Sequence, residues 1–228
     1  MINMVSSLDG KAAVEGKAGS IGSSIDRTIM RTLRAQVDAV MIGAGTLRAE
    51  RLRLDVPEDL ASARASRGLE PQPLAVIATS SGNIPLRENL LGLSPDNLVV
   101  LAASETPKDS LSALSRLATV EVVPKRAETE AVTEEAPVLV DPVFALEVLK
   151  VRYGVGVLLV EGGPALNHAL ISSNLADELF LTLSPRLLGG VESRTMLEGP
   201  ILPATVSQVR NLTSIYLADD ELFLRYAL

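Results

Sequence analysis

Two unbroken apolar runs that stop at glycines constrain the fold of this chain more than any other feature. Ala39, Val40, Met41 and Ile42 end at Gly43, Ala44, Gly45 and Thr46, and residues 155–160 end at Glu161, Gly162, Gly163 and Pro164. A strand that is apolar at consecutive positions is covered on both faces, which is the condition of strands in parallel sheets. Parallel neighbours need long crossover connections, usually helices.

The rest of the chain supplies them. A strand over 2–6 runs into the turn at Asp9 and Gly10. Ser23 or Ser24 can cap a helix with Asp26 near its positive end, and Ile25, Ile29, Met30, Leu33 and Val37 give it a core face. Residues 48–73 read as a long polar loop with one helical stretch. Strands follow over 74–78, 97–102 and 119–123, with a helix capped by Asp109 or Ser110 and carrying Leu111, Leu114 and Leu117 between the last two. The acidic segment 124–137 is a solvated excursion. Asp141 and Pro142 open a helix that carries Phe144, Leu146, Val148 and Leu149 and closes at Tyr153 and Gly154. A strand over 155–160, a helix over 165–172 and a strand over 179–183 come next. Residues 206–217 and 221–226 alternate in polarity around Ala218, Asp219 and Asp220, as a hairpin does. The pattern predicts an α/β fold in a single domain, 1–228, with a central, mostly parallel sheet flanked by helices and an antiparallel C-terminal hairpin.

Composition removes whole classes of chemistry. The 228 residues carry a net charge of −7, which argues against a nucleic-acid partner. Cysteine is absent and His168 is the single histidine, so thiol nucleophiles, zinc clusters and His-based triads are excluded. A metal site would have to use carboxylates alone, and none is expected. Aromatic residues make up 3% of the chain and tryptophan is absent, which disfavours base-stacking platforms. No apolar run reaches the roughly 18 residues of a membrane span, and residues 1–10 lack the basic and apolar regions of a signal peptide. A cytoplasmic protein without a membrane partner is expected.

The chemistry then falls on the strand ends. Gly162 and Gly163 stand at a helix N-terminus, where bare backbone N–H groups can approach a phosphate; a tight turn needing positive φ is the plain alternative. Gly45 and Thr46 close a second such loop, and two loops at the carboxyl ends of strands suit an extended ligand. Leu47 and Arg48 stand where the G-x-G-x-x-G fingerprint requires further glycine, so a standard dinucleotide-binding domain is disfavoured. Glu161 is placed to hydrogen-bond a ring or ribose. Lys11, after the Asp-Gly turn, can hold a phosphate, and Arg34 flanks the buried stripe of its helix within reach of an anion. Asp177 and Glu178 read as exposed punctuation, and His168 as a packing or surface residue.

Taken in order, Ser7, Leu8, Asp9, Gly10 and Lys11, then Leu33, Arg34 and Ala35, then Gly43, Ala44, Gly45, Thr46 and Ala49, then Val160, Glu161, Gly162, Gly163 and Pro164, with Asp177, Glu178, Leu179 and residues 185–189, resemble the reductase domain of riboflavin biosynthesis over nearly the whole chain. The resemblance implies a dihydrofolate-reductase-like fold and NADPH-dependent reduction of the ribose of 5-amino-6-(5-phosphoribosylamino)uracil to a ribityl chain. It assigns the cofactor to Gly45, Thr46, Glu50, Thr79, Ser80, Gly162, Gly163, Pro164 and Ala165. The phosphoribosyl-pyrimidine substrate falls to Lys11, Arg34 and Glu161, with Lys11 and Glu161 as the catalytic pair. A homodimer is implied as well.

Departures accompany the resemblance. Ala18, Gly19 and Ser20 replace the family's Ser-x-Trp, and Glu50, Arg51, Leu52, Arg53 and Leu54 replace its Asp-Asp-Pro-x-Leu, with Arg51 or Arg53 as substitute phosphate contacts. No arginine adjoins Thr79, Ser80 and Ser81, which leaves the charge for a 2′-phosphate to a spatial neighbour. The zinc deaminase often fused to this reductase is not expected, since its cysteine ligands have no counterpart here. The other readings are a paralogous NADPH-dependent reductase of another pyrimidine or a pterin, and a non-catalytic dinucleotide-binding dimer.

Overall fold

A computed structural model describes residues 1–13, 21–50, 53–85, 94–126, 140–207, 209 and 211–228. Ala18, Gly19, Ser20, Arg51, Leu52 and the excursion over 127–137 lie outside the described residues. The chain divides into two compact units, Arg31–Leu159 and the pair of segments Met1–Met30 with Val160–Leu228.

The unit Arg31–Leu159 is built on β2 (Ala39–Gly43), β3 (Leu74–Thr79), β4 (Leu98–Ala103) and β5 (Thr119–Val123), all parallel, in the order β5-β4-β3-β2. β3 and β4 are buried at five of six positions each, as continuous apolar runs require. β2 runs directly into α2 (Ala44–Ala49) rather than into the expected tight loop. Ala44 and Leu47 are buried one turn apart, and that shared face turns Gly43-Ala44-Gly45-Thr46 into a helix start. The one helical stretch in the polar region is α3 (Glu58–Ala65).

α4 (Lys108–Leu114) opens before either Asp109 or Ser110 could cap it; Pro107 stands at the N-cap, with no side-chain cap bond. α5 (Pro142–Tyr153) has the expected ends: Asp141 accepts from the N–H groups of Val143 and Phe144 (2.9 and 3.2 Å), and Gly154 closes it at φ 67°.

The expected strand over 155–160 shrinks to β6 (Leu158–Val160). The Asp38 carboxylate accepts from Gly156 and Val157 N–H, both at 2.8 Å, and Asp38 N–H donates to the Val157 carbonyl, so these amides serve a loop contact instead of a ladder.

The other unit centres on β1 (Ile2–Ser7), which pairs in parallel with β6 and with β7 (Glu178–Ser184). β7 pairs antiparallel with β9 (Glu221–Ala227), and β9 with β8 (Asn211–Ala218). The hairpin turns on Asp219 and Asp220, both at positive φ (48° and 65°), as a two-residue turn that matches strand twist demands. β8 begins at Asn211, five residues later than the alternation suggests, because Val206 N–H is already used in a turn on Pro203. α6 (Pro164–Ser172) follows β6.

α1 (Ser24–Arg34) is capped by Ser23, whose Oγ accepts from Ile25 and Asp26 N–H (3.0 and 3.2 Å). Its apolar stripe is only half-buried, and its one fully buried residue is Arg34. No helix among the described residues is long and apolar enough to cross a membrane.

Candidate active site

Within the unit Arg31–Leu159 the register sets Gly43 opposite Ala78, so the chain leaving β2 and the chain leaving β3 emerge side by side. Gly45 and Thr46, in the first turn of α2, therefore follow β2 at the edge of the sheet where Thr79 ends β3 and Ser80 follows it, and Glu50 caps the far end of α2. Thr79 is buried and its Oγ1 accepts from Gly82 N–H at 3.0 Å; Thr106 Oγ1 donates to the Ser80 carbonyl at 3.0 Å. The turn carrying these hydroxyls is thus braced by Thr79 from within and by Thr106 from the chain after β4. Glu50 N–H donates to the Thr46 carbonyl at 2.8 Å and ends α2.

Arg34 is 2% exposed and its Nη1 donates to the carbonyls of Arg53 and Asp55 (2.6 and 3.2 Å). Arg64, also buried, donates to the carbonyls of Val37 and Glu70 and to that of Arg34, a group that the end of α1 leaves without an intrahelical partner. Burial pushes the Arg64 guanidinium below its ordinary range. The chain at Arg53 and Asp55, at Arg34 and Val37, and at Glu70 is thereby held by arginines through main-chain carbonyls, a use that the sequence pattern does not announce.

In the other unit Glu161, Gly162, Gly163, Pro164 and Ala165 lead from β6 into α6. Gly162 adopts φ 86°, and a Cβ there would stand 3.4 Å from Met4 Sδ. The bond to Gly163 is cis. Gly163 is the N-cap of α6 without a side-chain cap bond, and Pro164 occupies the first turn. The positive φ of a tight turn and a bare helix start thus coexist in one motif.

Lys11 belongs to a tightly bonded turn. Ser7 Oγ donates to Asp9 (2.5 Å) and accepts from Lys11 N–H (2.9 Å), while Asp9 also accepts from Leu188 and Gly189 N–H (3.1 and 2.7 Å). These three donors, Ser7 first, hold the Asp9 carboxyl down to about 2. Leu8 N–H and Ala12 N–H add bonds to the carbonyls of Arg186 and Arg194, and Lys11 Nζ donates to the Ser193 carbonyl at 3.3 Å. The ammonium is therefore held by the same loop that Asp9 pins.

Sequence reading missed a cluster of carboxyls. Glu221, 3% exposed, accepts from Ser23 N–H at 3.0 Å and Ser23 Oγ at 2.5 Å. Burial pushes the Asp26 carboxyl up; Glu221 and Glu161 add to this, while the Thr182 hydroxyl and Arg27 oppose it. Asp26 was legible only as a helix-dipole residue and Glu221 only as the residue after a hairpin turn, since their proximity arises from the β7-β9 pairing.

His168 is a packing residue as expected: it is buried, with Nε2 at 2.7 Å from the Pro200 carbonyl, and a Cβ on Gly199 would stand 2.5 Å from its ring. Asp177 is exposed, whereas Glu178 is half-buried and pairs with Arg225 at 2.5 Å. Among the described residues no group of carboxylates and histidine is arranged to hold a metal ion.

The architecture is that of the pyrimidine reductase-like proteins. A solved structure of such a protein from Corynebacterium diphtheriae superimposes with a TM-score of 0.76 over 99% of this chain and 90% of its own, at 21% identity, a likeness of fold. The sequence model of the RibD C-terminal domain matches residues 1–217, and the chain belongs to that family. A 2,5-diamino-6-ribosylamino-4(3H)-pyrimidinone 5′-phosphate reductase of Archaeoglobus fulgidus is 35% identical over 201 residues, covering 87% of this chain and 85% of the relative. A reductase of the same name from Methanothermobacter thermautotrophicus is 26% identical over 99% of this chain and 96% of its own length.

Proposed function

We propose that residues 1–228 act as a single reductase domain that uses NADPH to reduce the ribose of a ribosylaminopyrimidine 5′-phosphate to the ribityl chain. The observation that carries this reading is the 35% identity to the Archaeoglobus reductase across most of both chains. That relative's name also favours a substrate: 2,5-diamino-6-ribosylamino-4(3H)-pyrimidinone 5′-phosphate, which differs from the uracil form in bearing an amino group in place of a ring carbonyl. The uracil form is the second candidate.

The residues present suit a nicotinamide dinucleotide. Gly162 adopts a positive φ in which a side chain would be strained, Gly163 starts α6 without a side-chain cap, and Thr79 Oγ1 braces its turn by accepting from Gly82 N–H. On the resemblance we assign Gly45, Thr46, Glu50, Thr79, Ser80, Gly162, Gly163, Pro164 and Ala165 to the cofactor. When bound, NADPH supplies the hydride that the ribose carbon receives.

The chain's own residues do the positioning. Lys11 brings a cation to the ribose phosphate, and its orientation follows from the Ser7–Asp9 network. Glu161 accepts from the ribose hydroxyls and holds the sugar carbon in place for the transfer, and with Lys11 it guides the accompanying proton. Arg34 completes the substrate set on the resemblance, while in this structure its Nη1 holds the chain at Arg53 and Asp55.

The active form is proposed to be a cytoplasmic homodimer. β8 supports it: Leu212, Ile215, Tyr216 and Leu217 of this strand, paired with β9 alone among the described residues, are 47–70% exposed, an apolar edge that monomers avoid.

Calorimetry with NADPH and NADH tests the reading. Micromolar NADPH binding, weakened by substitution at Gly163, is expected; binding of neither nucleotide removes the cofactor assignment and leaves only the fold.

A further inference from the structure

Thr79 and Ser80, assigned above to the cofactor, have no cation beside them in sequence, and the fold brings one to them. Arg48 stands in the last turn of α2, and its Nη1 donates to the Asn83 carbonyl at 2.7 Å. Asn83 belongs to the turn that Thr79 opens: Gly82 N–H bonds Thr79 Oγ1, and Asn83 N–H bonds Ser81 Oγ at 3.2 Å. The guanidinium also lies along Gly45, where a Cβ would stand 3.7 Å from Nη2. Arg48 therefore links the chain leaving β2 to the chain leaving β3, the two stretches assigned to the same cofactor.

The chemistry of the link is specific. A guanidinium has five N–H donors in a rigid plane, and one of them is fixed here by a main-chain carbonyl. Arg48 is exposed, and no carboxylate among the described residues pairs with it. Ser81 Oγ serves as an acceptor toward Asn83, so its own proton is left to donate outward, and Ser80 is half-buried beside it. An oriented guanidinium bonded to the turn that carries the Ser80 and Ser81 hydroxyls matches a phosphate monoester, which offers three strong acceptor oxygens and close to two negative charges.

We propose that Arg48, with the hydroxyls of Ser80 and Ser81, binds the 2′-phosphate on the adenosine ribose of NADPH and thereby sets the preference for NADPH over NADH. The proposal rests on the reading that these loops hold a nicotinamide dinucleotide. It involves no covalent step.

The test is calorimetry on the full chain and its Arg48→Gln and Arg48→Lys variants, with adenosine 2′,5′-bisphosphate against adenosine 5′-monophosphate, and NADPH against NADH. Each pair differs only by the 2′-phosphate. Loss of a charge-assisted contact predicts that Arg48→Gln weakens adenosine 2′,5′-bisphosphate and NADPH about 10- to 100-fold while leaving the other two nucleotides unchanged. Arg48→Lys should retain part of the preference, because a point charge remains without the fork. Equal binding of NADPH and NADH by the wild type, or a uniform loss across all four ligands in Arg48→Gln, overturns the proposal and leaves the cofactor reading standing. Binding of no nucleotide by the wild type overturns both.

Discussion

Two glycine-bearing strand ends look alike in this sequence and are built differently. After β2, Gly43-Ala44-Gly45-Thr46 passes straight into α2; Gly45 is exposed in the helix, and a Cβ there would meet only Arg48 Nη2, at 3.7 Å. After β6, Glu161-Gly162-Gly163-Pro164 makes a turn in which Gly162 sits at φ 86° against Met4. The first glycine leaves open space on an exposed helix face, and the second meets a need of backbone conformation. A glycine signature at the end of a buried strand thus does not say which physical need the glycine meets.

Substitution at the two sites separates those needs. Gly162→Ala should give the largest effect: a left-handed conformation costs a residue with Cβ about 1–3 kcal/mol, read as a lower urea midpoint together with lost reductase activity. Gly45→Ala should leave stability unchanged or raise it by up to about 1 kcal/mol, since alanine favours a helix interior over glycine. If Gly45→Ala unfolds the chain as Gly162→Ala does, the distinction fails. Glu161→Gln, beside Gly162, should lower kcat/KM about 10- to 100-fold through one charge-assisted contact and leave the urea midpoint in place, which would show that the loop after β6 carries chemistry as well as shape.

The carboxyls nearby sharpen the contrast through pH. Asp26 has a raised folded-state pKa, so the folded chain holds a proton that the unfolded chain has released, and stability falls as pH rises from the ordinary carboxylate range toward that raised value. Asp26→Asn should therefore raise the melting temperature at pH 8 more than at pH 4. Asp9 has the opposite sign: held down to about 2, it contributes stability above the ordinary carboxylate range that is lost as pH falls toward 2. Asp9→Ala should flatten the acid limb of the stability curve. The smallest catalytic effect expected is a rise in substrate KM with kcat retained in the same variant, because Asp9 acts on Lys11 through the loop at Leu188 and Gly189.

Most strands, and the ends of α5, were legible because their signals are local: continuous apolar runs, Asp141 before Pro142, Gly154 at a left-handed cap. The positions of Gly162, Gly163 and Lys11 at strand ends were legible for the same reason. What the sequence hid depends on contacts distant along the chain. Asp38 shortens β6 from more than a hundred residues away, Glu221 reaches Ser23 only through the C-terminal hairpin, and Arg48 meets Asn83 only because β2 and β3 are neighbours. The short helix α2 was hidden differently, since its glycines read as a loop until Ala44 and Leu47 find a common buried face.

The most direct test of the account is turnover: purified protein with NADPH and 2,5-diamino-6-ribosylamino-4(3H)-pyrimidinone 5′-phosphate, followed by loss of NADPH absorbance and mass analysis of the product. The account predicts one NADPH consumed per ribityl product formed, with the uracil form reduced more slowly. Tight NADPH binding with oxidation by neither pyrimidine would contradict it and point to a reductase of another substrate.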